Sequence, residues 1–561
     1  MKSRTEALKT AREVEFDLAV VGGGIVGAGA AQDAAASGLS VIVLEKGDFA
    51  SGTSSRTTKC IHGGFRYVGM FLFRLVRELC QERGLLEQLA PHMVKDSSFI
   101  LPVRRGRKLF GLKVGIGLRI YDYLSTNARG VRRHERLNKR KTMAACPSLD
   151  PAVVASGLRF HDCITDDSRV VMAVLKSATD FGALPINYLE AVGFQEQDGR
   201  VSAVVCRDRL TGEEIVVRCR SCVNATGVWS DEFLQKLAPV WKSRVKPAKG
   251  THVILPASSF KTSTALFLPT EDGRFVFVVP WQHALMVGTT DLAYEGPLDN
   301  PVATTAEIDY LLSVLNSYRK PDDDEKPELT RADVIASWAG LRPLVAPEKG
   351  EAGGTGNLSR EHLLFEGPLG VIGLIGGKLT NYRMLSVHVV DMVLAKLQKQ
   401  DAHYAEVVRG KTATIMLGGW ADKVDYISSM SEIEAYAEEL GLEEATAEHL
   451  IANYGREAFS VLDIVKALPA LAEKISPDFP AILAEAAYGV SSEMAVTLED
   501  ILSRRIRLGF VQQRQALEAA PRVAQTLVDV ALWDEVKAAG EVAAFTQSMQ
   551  AQLAPLEALA S

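Results

Sequence analysis

Leu18–Val21 is a short apolar run that ends in Gly22, Gly23 and Gly24. An alanine-rich stretch with helical character follows over 25–37, and Val41–Leu44 is a second apolar run. Buried strand, glycine turn, helix and buried strand in that order predict the start of a βαβ unit. Residues 66–92 place apolar and charged positions at helical spacing. Short strands are predicted at 203–207 and 215–217. Residues 250–292 are dense in β-formers (THVILP, FVFVVPW, LMVGTTD), which predicts an antiparallel sheet. The polar stretch 319–331 predicts a surface loop. Val371–Leu374 predicts another buried strand, followed by a helix over 380–398. From 425 to 561 the chain is rich in Ala, Leu and Glu with few strand signals, and a separate helical domain is expected.

Length and composition set the bounds. A chain of 561 residues exceeds one domain of roughly 100–200 residues, so two or three packed units are expected. Hydrophobic content of 47% with 24% charged residues is that of a soluble globular protein. A net charge of −6 argues against general nucleic-acid binding. Seven scattered cysteines do not resemble a disulfide framework and suggest a reducing compartment. Cys219 and Cys222 form one isolated CxxC, a weak zinc signal, and no metal is expected. The N-terminus lacks the apolar core of a secretory signal. No stretch reaches the ~18 apolar residues of a spanning helix, so membrane contact would be peripheral.

Gly22-Gly23-Gly24-Ile25-Val26-Gly27 fits GxGxxG between a strand and a helix. Gly22 permits the tight turn, Gly24 lets the backbone approach a pyrophosphate, and Gly27 lets helix and strand pack closely. Glu45 ends the second strand, where an acid should meet ribose hydroxyls. Two further glycine turns, Val223–Gly227 and Gly376–Thr380, also end apolar runs. A long flavin dinucleotide needs several such turns. The last would bring helix-terminal N–H groups near the pyrimidine end of an isoalloxazine.

The stretch from Gly22 to Tyr67 resembles the N-terminal signature of FAD-dependent glycerol-3-phosphate dehydrogenases. NATG, KGTHVILP, FVFVVPW, GTTD, AGLRPL, LSREH and GGKLTNYR follow in the same order, over roughly residues 16–390. TSSRTTKCIHGG is similar to the aerobic, single-subunit, quinone-linked branch. This resemblance, to a group within the D-amino-acid-oxidase-like flavoproteins, implies an α/β and α+β protein. Its parts would be a Rossmann-type FAD-binding domain (14–96, 151–245 and 335–400), a mostly antiparallel β substrate domain (97–150 and 246–334) and a C-terminal helical domain (401–561). It implies FAD as cofactor, with Lys46, Thr53, Ser54, Ser55, Lys59, Ile61, His62 and Gly64 beside it. Ala191, Val192, Ala225, Thr226, Gly227, Gly377, Lys378, Leu379 and Thr380 complete the expected cofactor set. The implied reaction is oxidation of sn-glycerol 3-phosphate to dihydroxyacetone phosphate by hydride transfer to flavin N5, with electrons passed to a membrane quinone.

A phosphorylated secondary alcohol needs cations and a proton acceptor. Arg66, Arg342, Arg360 and Lys378 lie in the matching motifs, with Tyr67 as a hydroxyl donor. The alternative for each arginine is a surface ion pair; the apolar flanks Leu341 and Pro343 favour a site role for Arg342, whereas Arg360, in a short motif near a loop, could be either. His62 and His252 are both candidates for the base, since imidazole titrates near neutrality; either could instead hydrogen-bond flavin or backbone. Arg342 could also stabilise a developing oxyanion. Thr290 in GTTD could orient substrate or simply form a turn.

Residues 104–124 mix Arg104, Arg105, Arg107, Lys108, Lys113 and Arg119 with bulky apolar residues. Such a segment suits an anionic lipid surface, on the inner face of the cytoplasmic membrane, or it is an ordinary basic surface helix; alternation at 112–120 also permits a strand. Three other functions stay open: an oxygen-using oxidase of the same substrate, an oxidase of an amino acid or 2-hydroxy acid, and a non-catalytic flavin protein. The helical tail could cap the substrate domain, form a homodimer or touch lipid.

Overall fold

The computed structural model describes residues 1–125, 132–320, 328–346 and 362–558. Among these, two large sheets carry the site. The first has eight strands. Its central path runs Leu363–Glu366, Ile372–Ile375, Glu214–Asn224, Glu15–Val21, Val41–Leu44, Leu184–Ile186. The four pairings from Ile372–Ile375 to Leu184–Ile186 are parallel. Their apolar runs are buried on both faces, as parallel strands covered by helices must be. Helices Ile25–Ala36, Asp167–Asp180 and Tyr382–Gln400 pack on this sheet. The βαβ unit, the strand at 371–374 and the following helix thus form where the hydrophobic pattern predicts them.

The second sheet has ten strands and is almost wholly antiparallel, its backbone being Val245–Pro256 between Ala284–Gly288 and Ala336–Val345. Strands Val154–Ile164 and Ala336–Val345 belong here, whereas the boundaries expected from sequence put 151–245 and 335–400 with the dinucleotide domain. Local pattern identifies a strand but not the sheet that it joins. Helix Thr305–Asn316 interrupts this region, which the β-rich pattern does not predict. Its signal was present, because Thr304 and Glu307 make a capping box. The 66–92 region divides into helices Phe65–Val68 and Phe73–Leu89. Residues 104–124 resolve to strand Lys95–Arg104 and helix Lys108–Leu124, so the alternation at 112–120 is helical. Of the polar stretch 319–331, residues 321–327 lie outside the described residues. Cys219 and Cys222 are buried in strand Glu214–Asn224, where burial pushes both thiols up.

Residues 423–558 form mainly helices, with one small hairpin of strands Lys474–Ser476 and Phe479–Ile482. These helices share a hydrophobic cluster with the second sheet, through Trp281, Trp338 and Phe510. They also meet the first domain through buried charge. Arg504 and Arg505 donate to Asp48, and Arg507 donates to Asp167. Burial opposes ionisation of both carboxyls. The Arg505 and Arg504 charges beside Asp48, and Lys59 and Arg507 beside Asp167, outweigh it and hold both below the ordinary range.

A depressed carboxyl contributes stability above its unfolded pKa of about 3.9 and loses it as pH falls through the lower folded value. Buried His62 and His252, held neutral in the folded state, lose stability as pH falls below the unfolded imidazole value of about 6.5, so the thermal midpoint should decline from there and more steeply below about pH 4, where the depressed carboxyls add to the loss. Circular dichroism melts across that range test this; a midpoint that holds steady down to pH 2 would refute it.

Candidate active site

The glycine turn is built as its spacing requires. Gly22 sits at φ +112°, and a Cβ on Gly27 would lie 1.8 Å from the Gly22 carbonyl oxygen. Gly27 therefore faces the strand, not the cavity. Gly24 caps helix Ile25–Ala36 without a side chain, so the helix N-terminus opens onto a cavity of about 190 Å³ lined by Gly22, Gly24, Ile25 and Val26. Glu45 lines the same cavity and accepts from the Gly23 and Gly47 N–H groups at 2.6 and 2.8 Å. Burial pushes its carboxyl up, against those two bonds.

Of the other expected cofactor residues, Lys46, Thr53, Ser54, Ala191, Ala225, Thr226, Gly227, Gly377, Lys378 and Leu379 line this cavity. Ser54 Oγ accepts from the Ile25 N–H at 3.0 Å. Ser55, Lys59, Ile61 and Val192 do not line it. Ile61 is fully buried in a strand pairing with Cys163. Lys59 is fully buried too, with its ammonium 2.8 Å from Asp167, and burial brings its pKa down to about 8. Ser55 turns its carbonyl to Lys59. Val192 is half-buried beside the lining residue Ala191. Trp229 adds a wall that the sequence motifs do not mark. It lines the cavity with Lys46 4.1 Å from its ring centroid, and among the described residues its buried indole N–H has no hydrogen-bond partner. An isolated tryptophan after NATG gives no such signal in sequence.

A second cavity, about 290 Å³, shares Thr53, Thr57, Pro343 and Gly376–Leu379 with the first. Together they make one slot of the size that small-molecule sites have, roughly 300–1,000 Å³. His62, Gly64, Arg66, Tyr67, His252, Thr290, Arg342, Lys378 and Thr380 all line the second cavity. Arg360 lies outside the described residues.

Sheet register brings the main players together. His252 pairs with Trp338 and Gly288, Gly250 with Gly340, and Ala248 with Arg342. His252 and Arg342 thus occupy one face of the sheet with a pair of glycines between them. The glycines are required by space. A Cβ on Gly288 would lie 2.1 Å from the His252 ring, one on Gly250 2.5 Å from the Arg342 guanidinium, and one on Gly340 2.6 Å from the Arg56 carbonyl. Trp338 stacks on His252 at 5.2 Å, and Thr58 Oγ1 lies 3.0 Å from its Nε2. Among the described residues its Nδ1 is buried without a hydrogen-bond partner. Burial, then the Lys59 and Arg342 charges, lowers the His252 pKa well below 6.5. His62 is lowered as well, chiefly by burial. Its main chain exchanges hydrogen bonds with the Thr380 hydroxyl. Both imidazoles are therefore neutral at pH 7.

Arg342 donates to the Thr290 carbonyl, Thr289 Oγ1 and Asp291. The Thr290 hydroxyl donates to Glu307 and accepts from the Thr251 N–H, so Thr290 acts on the cavity by orienting Arg342. Lys378 lies 4.9 Å from the Tyr67 ring centroid. Arg56 and Arg274 also line the cavity and were not singled out in sequence, because their contexts look like ordinary surface. Burial draws Arg56 down to about 10, still charged at neutrality. Phe65, Phe160, Phe267, Phe275 and Phe277 form the apolar wall.

The glycine cradle, the uncapped helix end, the ribose-side carboxylate and the unpartnered Trp229 N–H fit an extended dinucleotide. Gly27→Val would drive a side chain into the Gly22 carbonyl. The expected outcome is purified protein without visible flavin absorbance but with far-ultraviolet circular dichroism retained. A yellow variant would contradict this account of the turn.

Comparison with known proteins agrees with this geometry. Residues 17–382 match the family described as FAD dependent oxidoreductase, and 410–538 match the C-terminal domain of alpha-glycerophosphate oxidase. Glycerol-3-phosphate dehydrogenase 2 of Mycobacterium tuberculosis is 34% identical over 98% of this chain and 91% of its own. Aerobic glycerol-3-phosphate dehydrogenase of Bacillus subtilis is 34% identical over 87% of this chain and 86% of its own. The crystal structure of glycerol-3-phosphate dehydrogenase from Bacillus halodurans complexed with FAD superposes with a TM-score of 0.78 at 28% identity, covering 99% of both chains. The chain belongs to the FAD-dependent oxidoreductases and, within them, to the glycerol-3-phosphate dehydrogenase family.

Proposed function

We propose that this chain oxidises sn-glycerol 3-phosphate to dihydroxyacetone phosphate and hands the electrons to a membrane quinone. The observation that carries the substrate is cavity charge. Among the described residues, Arg56, Arg66, Arg274, Arg342 and Lys378 line the cavity against Asp162 and Asp291; Asp162 is paired with Arg83 at 2.6 Å, Asp291 with Arg342 at 3.3 Å and Arg274 with Asp272 at 2.6 Å, which leaves cations in excess. A phosphate dianion suits that surplus, and a guanidinium can bind two of its oxygens at once. The relatives named for this substrate support the same reading. FAD, held by the glycine cradle and the residues lining the first cavity, would supply the two-electron acceptor.

His252 is the proposed base. It lines the cavity with Thr58, whose Oγ1 lies 3.0 Å from Nε2, and Trp338 fixes the ring plane, so the neutral imidazole is set to take the C2 hydroxyl proton. Arg342, held by Thr289, Thr290 and Asp291, stabilises charge that develops on the oxygen. His62, clasped by Thr380, lines the flavin end.

Electron delivery to quinone rests on a surface. Helix Lys108–Leu124 exposes Leu109, Leu112, Ile116 and Tyr123 beside Lys108, Lys113 and Arg119. Met70, Phe71 and Phe73 are exposed too, directly after the cavity-lining helix Phe65–Val68. Among the described residues no helix is long and apolar enough to cross a membrane. This face is proposed to rest on anionic lipid at the inner surface of the cytoplasmic membrane. The family description of residues 410–538, which names an oxidase, favours oxygen as a second acceptor.

Glycerol 3-phosphate should bleach the flavin band anaerobically and glycerol should not; equal bleaching by both would remove the phosphate pocket. Arg342→Ala should lower kcat/KM roughly 10²–10³-fold, and His252→Asn should lower kcat roughly 10²–10⁴-fold. Because a depressed imidazole stays unprotonated until pH drops through its folded pKa, the acid limb of kcat/KM should lie below 6.5. A limb at or above 6.5 would exclude His252. Vesicles containing phosphatidylglycerol should bind the parent protein and stimulate quinone reduction, and the Leu112→Asp, Ile116→Asp double variant should lose both. Peroxide formation as fast as quinone reduction would favour oxygen.

A further inference from the structure

Between the carboxylate at Glu45 and the second cavity, the chain runs through a loop whose residues Ala50, Ser51, Gly52, Thr53 and Ser54 all line the dinucleotide cavity. The loop is held from behind at both ends of that run. On one side, Asp48 accepts from Arg504 Nε at 2.7 Å and from Arg505 Nη1 and Nη2 at 2.8 and 2.9 Å. On the other, the Ser55 carbonyl accepts from Arg507 Nη2 at 3.0 Å. Arg507 also reaches Asp167 at 3.1 Å, and Asp167 in turn binds the Thr57 N–H and hydroxyl at 2.9 and 2.8 Å. All three arginines come from one short segment, 504–507, of the C-terminal helical region. None of them lines either cavity.

The side chains of Asp48, Asp167, Arg505 and Arg507 are fully buried, and that of Arg504 is 8% exposed. Ion pairs at such depth are costly to separate, since breaking one leaves an uncompensated charge in low dielectric. Each arginine also has an anchor away from the loop. Arg505 pairs with Glu493 at 3.3 Å, Arg507 with Asp166 at 3.0 Å, and Arg504 with Asp500. The segment is therefore a rigid bracket, and the loop is the part it fixes.

We propose that segment 504–507 is a clamp on the dinucleotide loop, and that the C-terminal helical region thereby sets how tightly FAD is held. Its arginines are positioning residues that act through Asp48 and Ser55. Linkage makes the effect reciprocal: whatever the clamp adds to FAD affinity, bound FAD returns as tighter docking of the clamp.

The test uses the full-length holoenzyme. Asp48→Asn and Arg507→Lys should release FAD about ten-fold faster or more on dilution, read by the fluorescence of freed flavin. For Asp48→Asn the KM for glycerol 3-phosphate at saturating FAD should be unchanged, because Asp48 lines neither cavity. Glu485→Gln serves as control, because Glu485 is equally buried in the C-terminal region but bonds to His449, Tyr454 and the Ile482 N–H. It should leave FAD release at the parent rate even if its melting temperature falls. Parent-like release from both loop variants, or release from Glu485→Gln as fast as from Asp48→Asn, would overturn the proposal. Hydrogen exchange on the unmodified protein decides the case if neither variant folds. Removing FAD should speed exchange across 499–511 as well as 46–58, and unchanged exchange across 499–511 would overturn it.

Discussion

The fully buried Asp167 carboxylate is the point on which three parts of the molecule converge. It accepts from the Thr57 N–H and hydroxyl of the dinucleotide loop, from the Lys59 ammonium and from the Arg507 guanidinium. The ammonium sits 5.3 Å from the Trp281 ring, 5.2 Å from Trp338 and 5.4 Å from Phe510. Two of those aromatics belong to the antiparallel sheet and the third to the C-terminal region. Removing either charge would strand the other in low dielectric. The cluster thus fixes one mutual arrangement of loop, sheet and helices where hydrophobic packing alone would tolerate several.

That arrangement reaches the chemistry through Trp338, which contacts Lys59 on one hand and stacks on His252 on the other. The Lys59 charge is also the second cause, after burial, of the depressed His252 pKa. A residue that looked like a cofactor contact in sequence therefore acts at a distance. It helps keep the proposed base neutral without lining the cavity. Arg342 shows the same indirectness. Its guanidinium lies over Gly250 and is aimed by Thr289, Thr290 and Asp291, which follow the neighbouring strand.

The proposed membrane face and the proposed chemistry meet in sequence around residues 65–73. Phe65, Arg66 and Tyr67 line the cavity, and Met70, Phe71 and Phe73 are exposed a turn later. An apolar surface of this kind next to a basic helix is unusual on a freely soluble protein. Its closeness to the cavity would give the proposed bilayer-dissolved acceptor a short path to the site.

Much of this was legible in the chain alone. Leu18–Val21, the glycine turn, helix 25–36 and Glu45 are close in sequence, so their geometry follows from local rules, and the dinucleotide half of the site could be read directly. The order of motifs likewise carried His62, Arg66, Tyr67, His252, Arg342 and Lys378. What remained hidden was everything set by long-range pairing. Which sheet strands 154–164 and 336–345 join, that Lys59 turns inward to Asp167, that Trp229, Arg56 and Arg274 face the cavities, and that segment 504–507 grips a loop more than 450 residues earlier all depend on contacts between distant segments. The sequence by itself determined the βαβ elements and the dinucleotide turn, because short-range periodicity and turn chemistry encode them, while the flavin and the reactive residues followed from the family resemblance of its motifs. Only the tertiary structure decided which charges are buried together and which face the cavity, because burial and partner distance are properties of the folded chain as a whole.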